Sequence, residues 1–330
     1  MRKMYVFTRT AYVVLSLLIV SCIAVAANAD DRLIIRVAVL KIGTVNWELE
    51  TIKANGLDEK HGFRLEVKPY ADNNATRLAV EGDQADIAVS DWIWLARQMV
   101  AGKDHRFIPY SKAVGGVVVP QDSPAKTLAD LSGGKIGIAG GPLDKSWLIL
   151  QAYAQAEYGM DLKAQTEQVF GAPPLIFKSG LNEGYSGTVN YWHFLSKMKA
   201  GGMRELVSVQ EAVTTLGLDE NLPLLGYYAK SSTVQKHPEM LTAFYAASRD
   251  AKQVLQSSDE AWQAIKPLVN AENNAQFEQL RADWLAGIPA PGPVNEREAQ
   301  KLLELMAELG GTALVGGATQ VPTGLFATVE

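Results

Sequence analysis

An α/β fold of two similar lobes, with a ligand cleft between them, is what this sequence predicts, and three observations predict it. Apolar strand-like runs alternate with helix-like runs. The second part of the chain repeats the first at a shift of 100 residues. Finally, the stretch 134–147 (Gly-Lys-Ile-Gly-Ile-Ala-Gly-Gly-Pro-Leu-Asp-Lys-Ser-Trp) carries a short strand into a Gly-Gly-Pro turn and a helix start. Open α/β sheets hold ligands at such junctions, beyond the carboxyl ends of their strands. The stretch is no P-loop, because Asp144 stands where a glycine should precede Lys145, and its glycines do not fit a dinucleotide fingerprint.

Composition sets the outer bounds. The chain has 330 residues, 48% hydrophobic and 20% charged, enough for one large domain or two lobes. Residues 1–29 stand apart. Arg2, Lys3 and Arg9 precede an apolar run over 11–20, and Ala27-Asn28-Ala29 is a small-x-small cleavage site. This predicts a secretory signal peptide and a periplasmic protein. The run is short for a membrane span, and polar Asp30-Asp31-Arg32 follows it. Ile19-Val20-Ser21-Cys22 loosely fits a lipoprotein processing site that would tether the protein to a membrane. Residues 23–27 stay apolar where lipoprotein linkers are polar, which favours cleavage after Ala29.

That cleavage removes three positive charges and no acid, taking the net charge from −5 to −8. Nucleic acid is excluded as a partner on this balance. Cys22 is the only cysteine, so the mature chain has no disulfide, cysteine zinc site or cysteine nucleophile. His61, His105, His193 and His237 are scattered without HExxH spacing. We therefore expect no metal and no cofactor.

In chain order, Leu33–Leu40 reads as a buried-type strand, followed by a helix over 47–54 that stops at Asn55-Gly56. A strand over 63–67 runs on to Tyr70-Ala71-Asp72-Asn73-Asn74, and a helix covers 75–81. A strand over 86–89 ends at Ser90-Asp91-Trp92, then come a helix over Trp92–Val100 and a strand over 107–110. These alternations predict a mostly parallel sheet with helices on both faces. Gly115-Gly116-Val117-Val118-Val119-Pro120 breaks the rhythm. A second series follows: helix Leu128–Leu131, strand Lys135–Ala139, helix 144–157, strand 167–170, helix 173–178, strand 186–189, helix Trp192–Ala200 and strand 205–209. An apolar extended run covers 222–229. From His237 the pattern is helical nearly to Leu309, punctuated at 289–293.

At the 100-residue shift Val89 meets Val189, Ser90 meets Asn190, Asp91 meets Tyr191 and Trp92 meets Trp192; Trp94 meets Phe194, Leu95 meets Leu195 and Gly102 meets Gly202. Each copy reads strand, polar turn, aromatic helix start, helix, glycine, strand. We expect lobe one over 30–117 plus 228–330 and lobe two over 118–227. The two hinge segments are then 117–120 and 224–229. Hinge closure around a guest suits this layout.

If the lobes face each other, the strand-end turns line one cleft. The candidate ligand-binding residues are Lys41, Thr44, Asn46 and Trp47 after the first strand, Asp72 and Asn73 after the second, and Ser90, Asp91 and Trp92 after the third. In lobe two they are Gly140, Gly141, Asp144, Lys145, Ser146 and Trp147, with Asn190, Tyr191 and Trp192. Indole faces sandwich a planar guest or cover a cation, whereas Lys and helix N-termini favour an anionic head group. Both modes fit this set, and the aromatic residues lean toward a ring or an organosulfonate over bare nitrate. Structural roles compete at several positions. Asp91 and Asp144 read equally as helix caps, Lys41 as the partner of a nearby acid, Trp94 as core, and Trp262 and Trp284 as structural.

These residues in this order resemble the periplasmic solute-binding proteins of ABC importers for nitrate, taurine, alkanesulfonates and thiamine precursors. The resemblance covers about residues 33–310. It rests on 56–62 (Gly-Leu-Asp-Glu-Lys-His-Gly), 82–88 (Gly-Asp-Gln-Ala-Asp-Ile-Ala), 118–124 (Val-Val-Pro-Gln-Asp-Ser-Pro) and 128–137 (Leu-Ala-Asp-Leu-Ser-Gly-Gly-Lys-Ile-Gly). Asn190-Tyr191-Trp192 looks like the thiamine-pyrimidine and related branches. Residues 180–185 depart from the family's G-x-x-D-A run. The resemblance implies a type II-like periplasmic-binding-protein fold with a two-segment hinge, a ligand in the cleft and no catalysis. It also implies docking of the closed form on a permease in the inner membrane. We expect a monomer that captures a small organic solute: a sulfonate, a pyrimidine-like compound, or an aromatic or anionic one. A sensory or accessory protein using the same cleft is the alternative. An enzyme of the fungal thiamine-pyrimidine kind would carry a cysteine-rich motif that is absent here, and Ser146 beside Lys145 is adjacency, not a dyad.

Overall fold

The first strand, β1 (Leu33–Leu40), buries Ile35 and then Val37, Ala38 and Val39 in succession, so that its second half is covered on both faces. The computed structural model describes residues 32–182 and 184–329; the expected signal peptide and Cys22 lie outside the described residues. From Ile34 onward the chain is one compact unit. After β1 come α1 (Val45–Ala54), α2 (Leu57–Lys60), β2 (Phe63–Tyr70), α3 (Asn73–Glu81), β3 (Ile87–Asp91), α4 (Trp92–Val100) and β4 (His105–Ser111). The second series is β5 (Gly115–Pro120), a 3-10 turn (Leu128–Leu131), β6 (Lys135–Ala139), α5 (Lys145–Tyr158), β7 (Glu167–Gly171), α6 (Pro173–Asn182), β8 (Gly187–Tyr191), α7 (Trp192–Ala200), β9 (Met203–Ser208) and α8 (Val209–Thr215). Then follow β10 (Leu225–Lys230), α9 (Ser231–Lys236), α10 (Met240–Ser257), α11 (Asp259–Val269), α12 (Asn274–Ala286) and α13 (Glu296–Val315).

Among the described residues the strands form two five-stranded sheets, ordered β2-β1-β3-β10-β4 and β7-β6-β8-β5-β9. The repeat seen in the sequence is a repeat of topology. β3 and β8 hold the same central place, β1 and β6 flank them in parallel, and the helices α4 and α7 follow them. The sheets are mixed where mostly parallel ones were expected. In each, one strand runs antiparallel between two others, β10 between β3 and β4, and β5 between β8 and β9. Each of these is contributed by the other half of the chain as it crosses over.

The crossovers lie outside the stretches read as hinges. Residues 117–120 are paired within β5 and 225–229 within β10, because both are apolar enough to be central strands. The chain passes between the sheets instead over 112–114, and returns over 209–224 by way of α8. The C-terminal region is helical as expected, but capping residues divide it. Ser258 accepts from the Ala261 amide to start α11, Asn270 ends it with φ 55°, and Asn273 accepts from the Gln276 amide to start α12. α10 packs on α1 and α2, and α12 reaches across to α7.

Gly226 shows how tightly the first sheet is built. It lies in β10 between two strands, and a Cβ there would collide with the Phe107 ring and the Ile108 carbonyl. Gly226→Ala is expected to cost about 2 kcal/mol through overpacking, read as a lower urea midpoint with an unchanged slope.

Candidate functional site

The strand-end turns of the two sheets converge on one cavity of about 660 Å³. Of the residues expected there from sequence, Thr44, Asn73, Ser90, Asp91, Gly140, Gly141, Asp144, Lys145, Ser146, Tyr191 and Trp192 line it. Helices α3, α5 and α7 begin with the lining residues Asn73, Lys145 and Trp192, and α4 begins directly after the lining residue Asp91. The first amides of α4 and α7 are engaged by backbone, the Trp92 amide donating to the Leu224 carbonyl at 3.2 Å and the Trp192 amide to the Val114 carbonyl at 2.9 Å.

Asp91 and Asp144 are helix caps as well as wall. Asp91 accepts from the Trp94 amide at 2.8 Å, and Asp144 from the Trp147 amide at 3.1 Å. Lys145 Nζ lies 3.4 Å from Asp91 Oδ2, so an ion pair joins the helix after β6 to the end of β3 and ties the two sheets across the cavity. Burial raises the Asp144 carboxyl above its ordinary value, opposed by the Trp147 amide, Lys145 and the Ser146 amide. Burial also raises the Tyr191 phenol, assisted by the charges of Asp144 and Asp91. At the turn itself Gly140 has φ 90°, a left-handed conformation that favours glycine.

The other expected residues lie off the cavity, each for a visible reason. Trp47, Trp92 and Trp147 are buried. The Trp47 indole packs on Trp262 and donates to the Leu268 carbonyl at 3.0 Å; Trp92 packs edge-on against Phe326. Side chains in a first helical turn lean back toward the N-terminus and the sheet beneath. Bulky apolar ones are therefore drawn under the turn, while the small polar neighbours Ser90 and Ser146 reach the cavity. Asn190 is buried, donating to the Pro173 carbonyl at 3.0 Å and accepting from the Tyr191 amide at 2.8 Å. Asn46 donates to the Leu40 and Gly43 carbonyls, and Asp72 caps α3. Lys41 is exposed and meets no acid among the described residues. Trp262 and Trp284 are buried in the C-terminal helices, as expected. Trp94 is half-buried against the core.

The structure adds Leu40, Arg77, Val89, Ala113, Val114, Pro142, Leu143, His193, Leu224 and Leu225 to the wall. Arg77 matters most. Its guanidinium lies 4.0 Å from the centre of the Trp94 ring and 3.5 Å from Ser90 Oγ. Among the described residues no carboxylate pairs with it. It stands four positions after Asn73, on the same face of α3, so helical spacing from a strand-end residue was the available signal. Among the described residues no cluster of three or more His, Cys, Asp or Glu is placed to hold a metal ion, and no helix is long and apolar enough to cross a membrane.

His193 is held largely out of water, which lowers its pKa to about 4, with the Lys197 charge acting the same way. The neutral ring is thus the native form through the neutral range. Below pH 6.5 the unfolded chain takes up a proton that the folded chain refuses, so stability falls as the pH drops toward 4. The loss has a ceiling of about 3 kcal/mol from the size of the shift. His193→Gln is expected to flatten that part of the curve, measured by urea unfolding between pH 7 and 4.

The model of the NMT1/THI5-like family matches residues 52–261, well over half of the chain. The chain belongs to the NMT1/THI5-like family. No curated protein matches it. This NMT1/THI5-like chain is similar in structure to the periplasmic aliphatic sulphonate-binding protein SsuA of Escherichia coli, with TM-score 0.70 and 17% identity over 89% of this chain and 92% of that one. It is also similar to a putative periplasmic sulfonate-binding protein of Methylobacillus flagellatus (TM-score 0.66, 15% identity, 90% and 92% covered). A third similar structure is the alkanesulfonate-binding protein SsuA of Xanthomonas axonopodis pv. citri bound to MOPS (TM-score 0.64, 14% identity, 90% and 98% covered). The fold shared with them is that of the periplasmic binding proteins: two mixed sheets flanked by helices.

Proposed function

We propose that this protein is the extracytoplasmic solute receptor of an ABC importer, and that its guest is a small organic anion with a sulfonate or similar acid head. The cavity carries this reading. Its polar groups include Arg77, free of any carboxylate among the described residues, and the hydroxyls of Ser90 and Ser146. Its apolar lining comprises Leu40, Val89, Val114, Leu143, Leu224 and Leu225. Such a wall suits a guest with one acidic end and an apolar body. The volume of about 660 Å³ exceeds what a bare inorganic anion fills. The aromatic surface is narrower than the sequence suggests, since only Tyr191, Trp192 and His193 supply it; this favours an aliphatic body over a large ring. Lys145 is engaged in an ion pair with Asp91, which supports capture without catalysis. Export, hinge closure and delivery to a membrane permease complete the reading, and the similar sulfonate-binding proteins support it.

Native mass spectrometry on protein purified gently from the exporting cell tests this. The expected result is a reproducible mass excess, lost on denaturation, matching an organic acid. A thermal-shift panel of sulfonates, carboxylates and pyrimidines then ranks the head groups. Pyrimidine binding with no response to any anion would overturn the anionic reading.

A further inference from the structure

Behind the cavity lies a second, smaller chamber of about 220 Å³. Ala113, Val114 and Trp192 line both spaces, so they form the wall between them. Ala113 and Val114 belong to the short crossover 112–114, and the Trp192 amide donates to the Val114 carbonyl at 2.9 Å. The indole is braced edge-on by Trp47, at 6.1 Å and 87°, and by His193, at 5.7 Å and 82°. The largest side chain of the wall is thus fixed on both flanks. The rear chamber differs in character from the front one. Its charged residues are Lys199, Glu205 and Asp283, with Lys199 Nζ 2.9 Å from Asp283 and 3.6 Å from Glu205. Two carboxylates around one ammonium leave a net negative charge.

We infer that Trp192 is the partition that sets how long a guest the protein accepts, and that removing it opens the rear chamber to the far, cationic end of a longer guest. The inference rests on the anionic-solute reading above. A guest held by its acid head near Arg77 extends along the apolar wall until its tail meets the indole. Short tails gain contact with the ring, whereas longer ones collide with an indole braced by Trp47 and His193. With the indole gone, an added ammonium on a long tail meets the carboxylates of Glu205 and Asp283.

Isothermal titration of ethane-, butane-, hexane- and octanesulfonate, and of their ω-amino derivatives, tests this on the wild type, Trp192→Ala and Trp192→Leu. The wild type is expected to bind the short members and to lose affinity sharply at a length cut-off. Trp192→Ala is expected to bind ethanesulfonate about tenfold more weakly, through lost ring contact. It should bind the octane compounds at least about tenfold more tightly than the wild type, since a few displaced or admitted methylenes are worth that much. The ω-amino member should gain most. A cut-off unmoved by both substitutions, in a wild type that binds the short members, overturns the partition and leaves the receptor reading standing. A wild type that binds no sulfonate of any length overturns the head-group reading itself. Should Trp192→Ala melt before binding can be measured, Trp192→Leu, which keeps more of the packing against Trp47, decides the matter with the same series.

Discussion

Arg77→Ala is expected to weaken capture of an anionic solute about a hundredfold or more, the largest loss of any single substitution in the cavity. A guanidinium gives an acid head two parallel donors in a fixed fork, which a point charge cannot reproduce. Here the fork is positioned before any guest arrives, because the Trp94 ring lies 4.0 Å beneath it and Ser90 Oγ 3.5 Å beside it. Removing one partner of a charge-assisted pair inside a binding site costs about 2–5 kcal/mol, and about 2.8 kcal/mol is a hundredfold. Lys145, the other cation of the wall, is committed to Asp91 and cannot substitute without breaking the tie across the cavity. Arg77→Lys should fall between the two, keeping the charge and losing the fork and the flat contact with the indole. Titration calorimetry with a bound sulfonate, set beside thermal melts of the free proteins, separates the head-group effect from unfolding. Equal affinity in all three proteins would show that the acid head lies elsewhere.

The contrast between Arg77 and the tryptophans shows what the sequence could convey. The order of elements was legible because hydrophobic period and turn residues are local: β1, the strand at Lys135–Ala139 and helices Trp92–Val100 and Trp192–Ala200 follow directly from such patterns. The two sheets were legible because the repeat brings β3 and β8 to the same place in each. The wall of the cavity was half legible. Strand ends reach it, but which side chain of a first turn faces it depends on what lies beneath the helix. Ser90 and Asp91 face the cavity, whereas Trp92 is drawn under by Phe326, a residue distant in the chain. The crossover stretches misled for a related reason. An apolar run beside turn residues, Gly115-Gly116 in one case and Pro223 in the other, reads as a linker or as a central strand with equal ease, and pairing with the opposite half of the chain decided for the strand in both cases. Arg77, in the second turn of α3, has no mark of its own in the sequence beyond its spacing from Asn73.

Glu48→Ala is expected to destabilise the fold by about 3–5 kcal/mol, without any residue of the cavity being touched. Glu48 and Lys252 are 0% and 2% exposed, and Lys252 Nζ bonds Glu48 Oε2 across 204 positions of sequence. The Tyr227 hydroxyl donates to Glu48 Oε1 at 2.8 Å, Lys252 donates to Ser248 Oγ at 2.8 Å, and the ammonium lies 4.9 Å from the centre of the Tyr110 ring. The network joins α1, β10 and α10, so it fixes the first sheet to the C-terminal helices. Truncating Glu48 leaves a buried ammonium with one neutral acceptor, together with an unpaired phenol. Burial already holds the Lys252 pKa below its ordinary value of 10.5, with Glu48 opposing the shift. Loss of Glu48 therefore pushes it lower. Between that lowered value and 10.5 the unfolded chain binds a proton that the native chain has released. Stability of the variant must then climb as the pH rises through this window, and fall as the pH drops. The double substitution Glu48→Met with Lys252→Met removes both charges and restores apolar volume; it should recover most of the loss, as replaced buried pairs often do. Urea unfolding of the wild type, both single variants and the double variant measures the coupling directly. Additive losses in the double variant would mean that the two side chains stabilise the fold separately rather than as a pair.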